Sequence, residues 1–427
     1  MQNAPELFLL FGSFAILLVL RVPLALCLAT STFVSMMAAG LPPVLVVERL
    51  YSALNYFPLM AIPLFILAGF LMNQGKIAER FFDLAQEMVG HIRGSLAQVN
   101  VLVSMMFASV SGTASADTAG VGSMVIPAMV KKGYSPGFSA AITAASSTMG
   151  SIIPPSVLMI VYGSLANLSI TQLFLGGIVP GVIIGLSQMA IAYRRAVIDD
   201  LPREQSPNLG RFLKAFRRAL LPLGVPIIII GGILGGVFTP TEAGVVAVAY
   251  AVLLIILFRS VSLRELPRIT REAALMVALP TFAIAAAVAF GWMIAFLEVP
   301  NIVGDLIDGY SLGPRGSLII IVGIFLVIGC FIDGVPAMII FLPVAQKVAE
   351  VAGIDPLHMA IVIVMTAALG LITPPFGLCI LIAGKIAGTT TATIVRETMI
   401  FVTVFAALIV TIIFIPDIVL YLPNTFS

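Results

Sequence analysis

The chain has 427 residues, of which 60% are hydrophobic and 10% are charged, with a formal net charge of +2. Soluble globular domains carry about 25% charged residues, and apolar runs here recur from end to end. This composition indicates an integral membrane protein and excludes a separate soluble catalytic domain, so any function must lie within the membrane.

Ten apolar segments are long enough to cross a bilayer. They lie at residues 5–20, 22–39, 57–74, 135–161, 173–193, 219–238, 242–259, 273–297, 357–384 and 398–421. Open strands leave backbone groups unpaired in lipid, so each segment is expected to be helical. The chain is therefore predicted to be an all-α polytopic membrane protein.

Two further regions fit a different pattern. Residues 95–130 and 316–349 are each long enough for two short helices, and each is interrupted near its middle, by "SGTASADTAG" and by "GCFIDGVPA". We predict two re-entrant helical hairpins. Residues 76–94 are amphipathic, with Ile77, Phe81, Leu84 and Met88 at helical spacing, and predict an arm helix at the membrane interface.

The distribution of basic residues predicts the orientation. Residues 194–218 carry seven lysines and arginines, which favours a cytoplasmic loop. Counting spans backward from this loop puts both ends of the first hairpin on the cytoplasmic side. Counting forward puts the entrance of the second hairpin on the opposite side, so the two hairpins are predicted to enter from opposite faces.

The two hairpin regions and the segments after them form a sequence repeat. Asp117 and Pro127 have the same spacing as Asp333 and Pro343, and the pattern G-x-I-x-P-P occurs at residues 150–155 and again at 370–375. Repeats of opposite orientation are typical of secondary transporters, which bind substrate and ion at broken helices near the membrane midplane.

The Pro-Pro pairs predict a break in each helix, because proline lacks an amide hydrogen and disfavours helical geometry before it. Carbonyl oxygens freed at a break need a partner, and a hard cation such as sodium binds oxygen. Hydroxyl oxygens are available at Ser111, Thr113, Ser115, Ser146, Ser147, Thr148, Thr366 and Thr373. The helix N-termini after the breaks would favour an anionic substrate.

The aspartates at the two interruptions have two readings. Carboxylates within a membrane are costly, which makes Asp117 and Asp333 functional candidates. Either could instead cap the N-terminus of a half-helix. Small residues at the interruptions could equally serve close helix packing.

Several long motifs, in the right order over the whole chain, resemble one family. "SGTASADTAGVGSMVIPAM", "GSIIPPS", "GGVFTPTEAG", "DGVPAMIIFLPV" and "GLITPPFG" are similar to the large membrane subunit of tripartite ATP-independent periplasmic (TRAP) transporters. The resemblance implies a sodium-driven importer of organic acids in the bacterial inner membrane. Its implied partners are a periplasmic substrate-binding protein and a small four-helix membrane subunit. The implied coupling ion is Na⁺, without any other cofactor or a transition metal. The resemblance implies neither enzymatic activity nor nucleic-acid binding.

The resemblance also implies an inverted-repeat elevator fold. A transport domain would comprise residues 95–172 and 298–394, each containing one hairpin and one broken helix. The scaffold would comprise spans in residues 1–75, spans in residues 173–297 and a C-terminal span in residues 395–427, with residues 76–94 as the arm.

Carried over residue by residue, the resemblance implies two sodium sites and a substrate region. The first sodium site comprises Ser111, Gly112, Thr113, Ser115, Asp117, Ser146, Ser147, Gly150 and Pro154. The second comprises Gly329, Asp333, Gly334, Thr366, Gly370, Thr373 and Pro374. The substrate is expected near Ser115, Asp117, Pro155 and Pro375.

Three other functions remain open at this point. A sodium-coupled carboxylate carrier working alone would share the hairpins and broken helices. Asp117 and Asp333 could be the pair of an intramembrane aspartyl protease, although the sequences around them lack the motifs of such enzymes. A channel would need a continuous pore, which an inverted repeat does not favour.

Overall fold

The computed structural model describes residues 4–201, 203, 206–262, 264–310, 312–375 and 377–426. Over these residues the chain forms twenty α-helices and two short 3₁₀ helices, with no strand. Seven helices are long and apolar enough to cross a membrane. The prediction of an all-α polytopic membrane protein is confirmed at this level. The undescribed residues fall in the predicted segments 1–75, 173–297, 298–394 and 395–427.

The N-terminal part contains five α-helices. They are α1 (Ala4–Val19), α2 (Leu24–Ala38), α3 (Val44–Leu54), α4 (Ala61–Gln74), which follows a 3₁₀ turn (Phe57–Met60), and α5 (Ile77–Val89). Helix α5 is the predicted arm helix. Its residues Ile77, Phe81 and Leu84 are buried, whereas Met88, expected on the same apolar face, is exposed. Helix α3 was not predicted.

The first repeat follows. It contains α6 (Ser95–Ser111), α7 (Ala114–Lys131), α8 (Pro136–Ser147), a 3₁₀ turn (Thr148–Ser151) and α9 (Val157–Ala166). Helices α6 and α7 pack on each other as a hairpin, linked by Gly112 and Thr113. Gly112 has a φ of +65°, which glycine adopts without steric cost. We call residues 112–113 the first tip.

Four long helices and one short helix connect the repeats. They are α10 (Ile170–Ile198), α11 (Leu209–Leu234), α12 (Pro240–Phe258), α13 (Leu266–Phe296) and the short α14 (Val299–Gly309). Both α10 and α11 extend into the predicted basic loop 194–218, so several of its cations lie on helices. Residues 202, 204 and 205 of that loop lie outside the described residues.

The second repeat has the same order of elements. It contains α15 (Pro314–Gly329), α16 (Gly334–Ala352), α17 (Pro356–Gly370) and α18 (Leu378–Ala387), and it is followed by α19 (Thr391–Phe414) and α20 (Asp417–Phe426). We call residues 330–333, between α15 and α16, the second tip. The prediction of one span over 398–421 was wrong, because Pro416 lacks an amide hydrogen and Ile415, before it, leaves the helical conformation.

Helices α8 and α17, which precede the two Pro-Pro breaks, lie at the centre of the molecule. Both start with a capping side chain followed by proline at the first helical position. The Ser135 hydroxyl accepts from the Phe138 amide, and the Asp355 carboxylate accepts from the His358 amide. Nearly every residue of both helices is buried.

The repeats interlock through their second half-helices. Helix α9 of the first repeat packs on α16 of the second, and α18 of the second packs on α7 and α8 of the first. Helices α1, α2, α4, α12 and α13 form a separate layer, joined to this centre mainly where α13 packs on α16. This packing brings both tips and both breaks to one place.

Candidate functional site

A partly open cavity lies where the two tips and the two breaks meet. Its volume is about 360 Å³, and its wall includes the first residues of four helices, α7, α9, α16 and α18. Side chains of α2, α4 and α13 close the remaining side. Each helix N-terminus presents amide hydrogens that lack a partner within the helix, so all four direct partial positive charge at the same space.

The first tip is bonded directly to the first break. The Val157 amide donates to the Gly112 carbonyl at 3.0 Å, and the Ala114 amide donates to the Ser151 hydroxyl at 3.3 Å. The Thr113 hydroxyl caps α7 by accepting from the Ala116 amide. These bonds fix the tip against the unwound segment, which contains a cis Pro154–Pro155 bond.

The glycines of the two G-x-I-x-P-P motifs occupy equivalent places. A Cβ at Gly150 would lie 2.9 Å from the Thr113 carbonyl oxygen, and a Cβ at Gly370 would lie 2.8 Å from the Gly329 Cα. The first break thus touches the backbone of the first tip, and the second break touches the end of α15, directly before the second tip. The Pro374–Pro375 bond at the second break is also cis.

Hydroxyl groups of the first predicted sodium site line a buried seam between α6 and α8. The Ser146 hydroxyl lies 3.0 Å from the Ser104 hydroxyl, and the Ser147 hydroxyl donates to the Thr143 carbonyl at 2.8 Å. At the tip, the Ser111 hydroxyl contacts the Thr113 carbonyl at 3.5 Å. These oxygens keep lone pairs that a cation could use.

Asp117 lies beside this seam and does not cap a helix. It is fully buried, and the hydroxyls of Ser104 and Ser147 are its polar neighbours. Within the described part of the chain, no well-aligned hydrogen bond joins a donor to either carboxylate oxygen. The capping alternative is wrong for Asp117, because it lies one turn inside α7 and Thr113 is the cap.

Asp333 occupies a different position. It is the N-cap residue of α16, but its side chain makes no capping hydrogen bond. It is exposed to the cavity that it lines. The sequence repeat aligned Asp117 with Asp333, whereas the structure places Asp333 at a tip and Asp117 one helical turn beyond the other tip. Only Asp333 lines the cavity.

The remaining residues of the second predicted site lie around the second tip. The Thr366 hydroxyl donates to the Val362 carbonyl at 2.7 Å, and the Thr373 hydroxyl donates to the Leu369 carbonyl at 2.8 Å. Thr366 is buried in α17, and a Cβ at Gly334 would lie 3.3 Å from the Ala367 Cβ. Pro374 follows Thr373 at the break.

Of the four residues predicted for the substrate region, Ser115 lines the cavity. Asp117, Pro155 and Pro375 do not, although the Pro155 carbonyl lies 2.7 Å from where a Cβ of Gly112 would be. Sequence reasoning missed Ser104, Ser151 and Ser156. Ser156 caps α9, and a serine directly after Pro-Pro and before an apolar run is a signal that could have revealed it. Ser104 carries no such signal.

A multi-pass helical protein with a cavity where two broken helices meet fits the class of membrane transport proteins. The family model described as "Tripartite ATP-independent periplasmic transporter, DctM component" matches residues 11–418. The chain therefore belongs to the DctM family, the large permease subunits of TRAP transporters. Family members work with a periplasmic binding protein and a small membrane subunit.

Three relatives illustrate the range of the family. The uncharacterized protein YgiK of Salmonella typhimurium is 37% identical over 98% of this chain and 97% of its own length. The C4-dicarboxylate TRAP transporter large permease protein of Pseudomonas aeruginosa is 34% identical over 88% of both chains. The ectoine/5-hydroxyectoine TRAP transporter large permease protein of Ruegeria pomeroyi is 35% identical over 97% of both chains.

Proposed function

We propose that the chain is the large permease subunit of a sodium-coupled TRAP transporter that imports an organic acid anion across the bacterial inner membrane. A periplasmic binding protein would deliver the anion, and a small four-helix subunit would complete the membrane unit. The observation that carries the proposal is the cavity on which four helix N-termini and both tips converge.

The cavity chemistry favours an anion. Among its lining residues that the structure describes there is no lysine or arginine, so backbone amides are the positive groups available to it. Each N-terminus is equivalent to about half a positive charge. A relative named for a C4-dicarboxylate supports the class of organic acid without selecting one member.

Sodium is proposed to bind at each tip. At the first, the Thr113 carbonyl and the hydroxyls of Ser111, Ser115 and Ser147 are candidate ligands, with Asp117 balancing the charge. At the second, Asp333 and Thr373 are candidates. Oxygen ligands of this kind suit a hard cation, and a cation beside Asp333 would offset the repulsion between that carboxylate and an anion in the cavity.

The proposed mechanism is elevator-type alternating access. The two hairpins and broken helices, in residues 95–172 and 298–394, would move as one inverted-repeat transport domain against the scaffold. The interlocking of α9 with α16 and of α18 with α8 supports a single moving body, because neither repeat can shift without the other. Helix α5 would act as the arm.

Two alternatives fit less well. A carrier working alone would need no binding protein, whereas the family is tripartite. A protease would need both aspartates at one substrate site, yet Asp117 is fully buried and Asp333 faces the cavity.

The experiment is sodium-dependent uptake of the organic acid by vesicles containing both membrane subunits, with the binding protein added outside. We expect Ser115→Ala and Thr373→Ala to raise the sodium concentration needed for half-maximal uptake, because each removes a candidate oxygen ligand. Thr411→Ala, an exposed hydroxyl on α19, is the control and should leave it unchanged. Unchanged sodium dependence in both tip variants would contradict the ion sites.

A further inference from the structure

A second candidate site lies where α5, α11 and α12 meet, and it includes none of the tip residues. The Arg80 guanidinium of α5 stacks on the Phe258 ring at the end of α12, with its central carbon 3.4 Å from the ring centroid. Arg80 also donates to the Arg218 carbonyl of α11 at 3.2 Å. Two contacts to uncharged groups therefore hold this guanidinium in one place.

A second positive charge lies beside Arg80, that of Arg218 on α11. Arg217 precedes Arg218 in the sequence, and Arg259 follows Phe258 directly. We call Arg80, Arg217, Arg218 and Arg259 the basic cluster. Within the described part of the chain, none of its members has an ion pair within 4.0 Å. Asp83, whose charge also acts on Arg80, forms no such pair either.

The protein holds these like charges together at an energetic cost. Partial burial and then the positive charge of Arg218 lower the pKa of Arg80, and only the charge of Asp83 opposes this. By contrast, Arg211, about two turns from the cluster on α11, is paired with Glu87 of α5 at 3.3 Å. The helices therefore neutralise one arginine and leave the adjacent cluster without an anion.

Apolar surface adjoins the cluster. Leu220 and Leu221 on the next turn of α11, and Leu253 and Leu257 on the last turns of α12, are 42% to 58% exposed. These helices are long and apolar enough to cross the membrane. If the charged end of an amphipathic ligand bound the arginines, its apolar part would therefore pack along this apolar surface.

We propose that the basic cluster binds the phosphate headgroup of an anionic glycerophospholipid, whose acyl chains lie along α11 and α12. Arginine presents a planar fork of donors that matches phosphate oxygens, and basic pockets between membrane helices favour anionic headgroups. Generic attraction of basic loops to the membrane would not require a guanidinium fixed by a ring and a carbonyl. The bound lipid would tie the arm helix α5 to α11 and α12.

Native mass spectrometry of the delipidated full-length protein tests this proposal. Wild-type protein is titrated with phosphatidylglycerol, phosphatidylcholine and inorganic phosphate. We expect phosphatidylglycerol to bind at least tenfold more tightly than phosphatidylcholine. Arg80→Gln and Arg218→Gln should each weaken phosphatidylglycerol binding by about fivefold, as expected for about 1 kcal/mol per cation near a membrane surface.

The control is Arg268→Gln, which removes the same charge from an exposed residue that is paired with Glu272. It should retain wild-type lipid binding. Since Arg80 is packed and its variant could unfold, Arg218→Gln serves as the independent variant, because its side chain is exposed.

Four results would overturn the proposal. The first is that wild-type protein binds the two lipids equally tightly. The second is that Arg268→Gln weakens phosphatidylglycerol binding as much as Arg218→Gln does, and the third is that Arg218→Gln leaves this binding unchanged. The fourth is that an equal concentration of inorganic phosphate displaces the lipid. Loss of the small membrane subunit from purified complexes of Arg218→Gln, with lipid binding intact, would assign the cluster to a protein interface instead.

Discussion

At the scale of single residues, Asp117 is the group that most needs explanation. An isolated carboxylate buried without hydrogen bonds is costly, and proteins normally pair such a group with a cation or with donors. Asp117 is fully buried, and within the described part of the chain no well-aligned hydrogen bond reaches either oxygen, while the hydroxyls of Ser104, Ser146 and Ser147 lie on the adjoining seam. This arrangement supports the proposal that a cation binds beside Asp117.

Asp117→Asn tests this reading with little change of volume. We expect the sodium concentration for half-maximal uptake to rise by about tenfold or more. Opposite charges about 4 Å apart interact by about 4 kcal/mol at a typical effective dielectric, and about 1.4 kcal/mol suffices for tenfold. Asp308→Asn, an exposed carboxylate of α14, is the control. Wild-type sodium dependence in Asp117→Asn would rule out its role in ion binding.

The two motif glycines make a prediction about packing. Gly150→Ala and Gly370→Ala would each place a methyl group within 3.0 Å of hairpin backbone at or directly before a tip. We expect a loss of stability of about 1–3 kcal/mol for each change and reduced transport, both measured on purified protein by thermal unfolding and in vesicles by uptake. The matched control is Gly323→Ala, in α15, where nothing lies within 4 Å.

Gly323→Ala should be neutral or slightly stabilising, because alanine has the higher helix propensity. Equal unfolding temperatures for all three variants would show that the break glycines do not need their close approach to the hairpins.

At the scale of elements, the segment "TPTEAG" contains a local sequence pattern that marks the start of a helix. Thr239 and Glu242 form a capping box at the start of α12, in which the Glu242 amide donates to the Thr239 hydroxyl and the Thr239 amide donates to the Glu242 carboxylate. Glu242 therefore has a structural role: its carboxylate accepts hydrogen bonds at the start of α12.

Thr239→Ala should therefore lower the free energy of unfolding by about 1 kcal/mol, the usual cost of losing an N-cap. Sodium dependence of uptake should not change, since the cap lies outside the cavity wall. Thr403→Ala, an exposed mid-helix hydroxyl, is the comparison for stability. A Thr239 variant as stable as the Thr403 variant would show that the capping box contributes nothing measurable.

Elements with strong local signals were predictable, and elements set by tertiary packing were not. Proline pairs and small-residue interruptions marked both breaks and both tips, because they change what the backbone can do locally. Helix α3 escaped prediction because it is short and apolar on its exposed side as well, with Val47 and Tyr51 outward. The different positions of Asp117 and Asp333 relative to their hairpin tips, one helical turn apart, could not be predicted either. Equal spacing in the sequence does not determine at which residue a hairpin turns.

At the scale of the whole molecule, elevator movement requires α7 to slide past α4. A Cβ at Gly120 of α7 would lie 3.4 Å from the side chain of Asn73 in α4, which is suitable for a disulfide. In a background without Cys27, Cys330 and Cys379, we expect oxidised Asn73→Cys/Gly120→Cys protein to lose uptake and to recover it on reduction.

Sodium binding should persist in the oxidised form, because the bond lies outside both proposed ion sites. The single variants under the same oxidant are the controls. Full uptake in quantitatively cross-linked protein would contradict movement of the transport domain against the scaffold.

The class of protein could be predicted from hydropathy, and the matching order of helices in the two repeats could be predicted from proline and glycine. Which side chains share the cavity could not, because it depends on how the repeats interlock. Leu158 of α9 and Val335 of α16 come from opposite repeats yet line the same cavity, and nothing in their local sequence indicates it.

The central claim is that a sodium gradient drives an organic anion through the cavity between the two tips. The most direct measurement uses the acid bound by the periplasmic binding protein encoded beside this chain, radiolabelled, with vesicles containing both membrane subunits. An inward sodium gradient should drive accumulation above the external concentration, and an equal potassium gradient should not. Equal accumulation under both gradients, or full accumulation without the binding protein, would contradict the account.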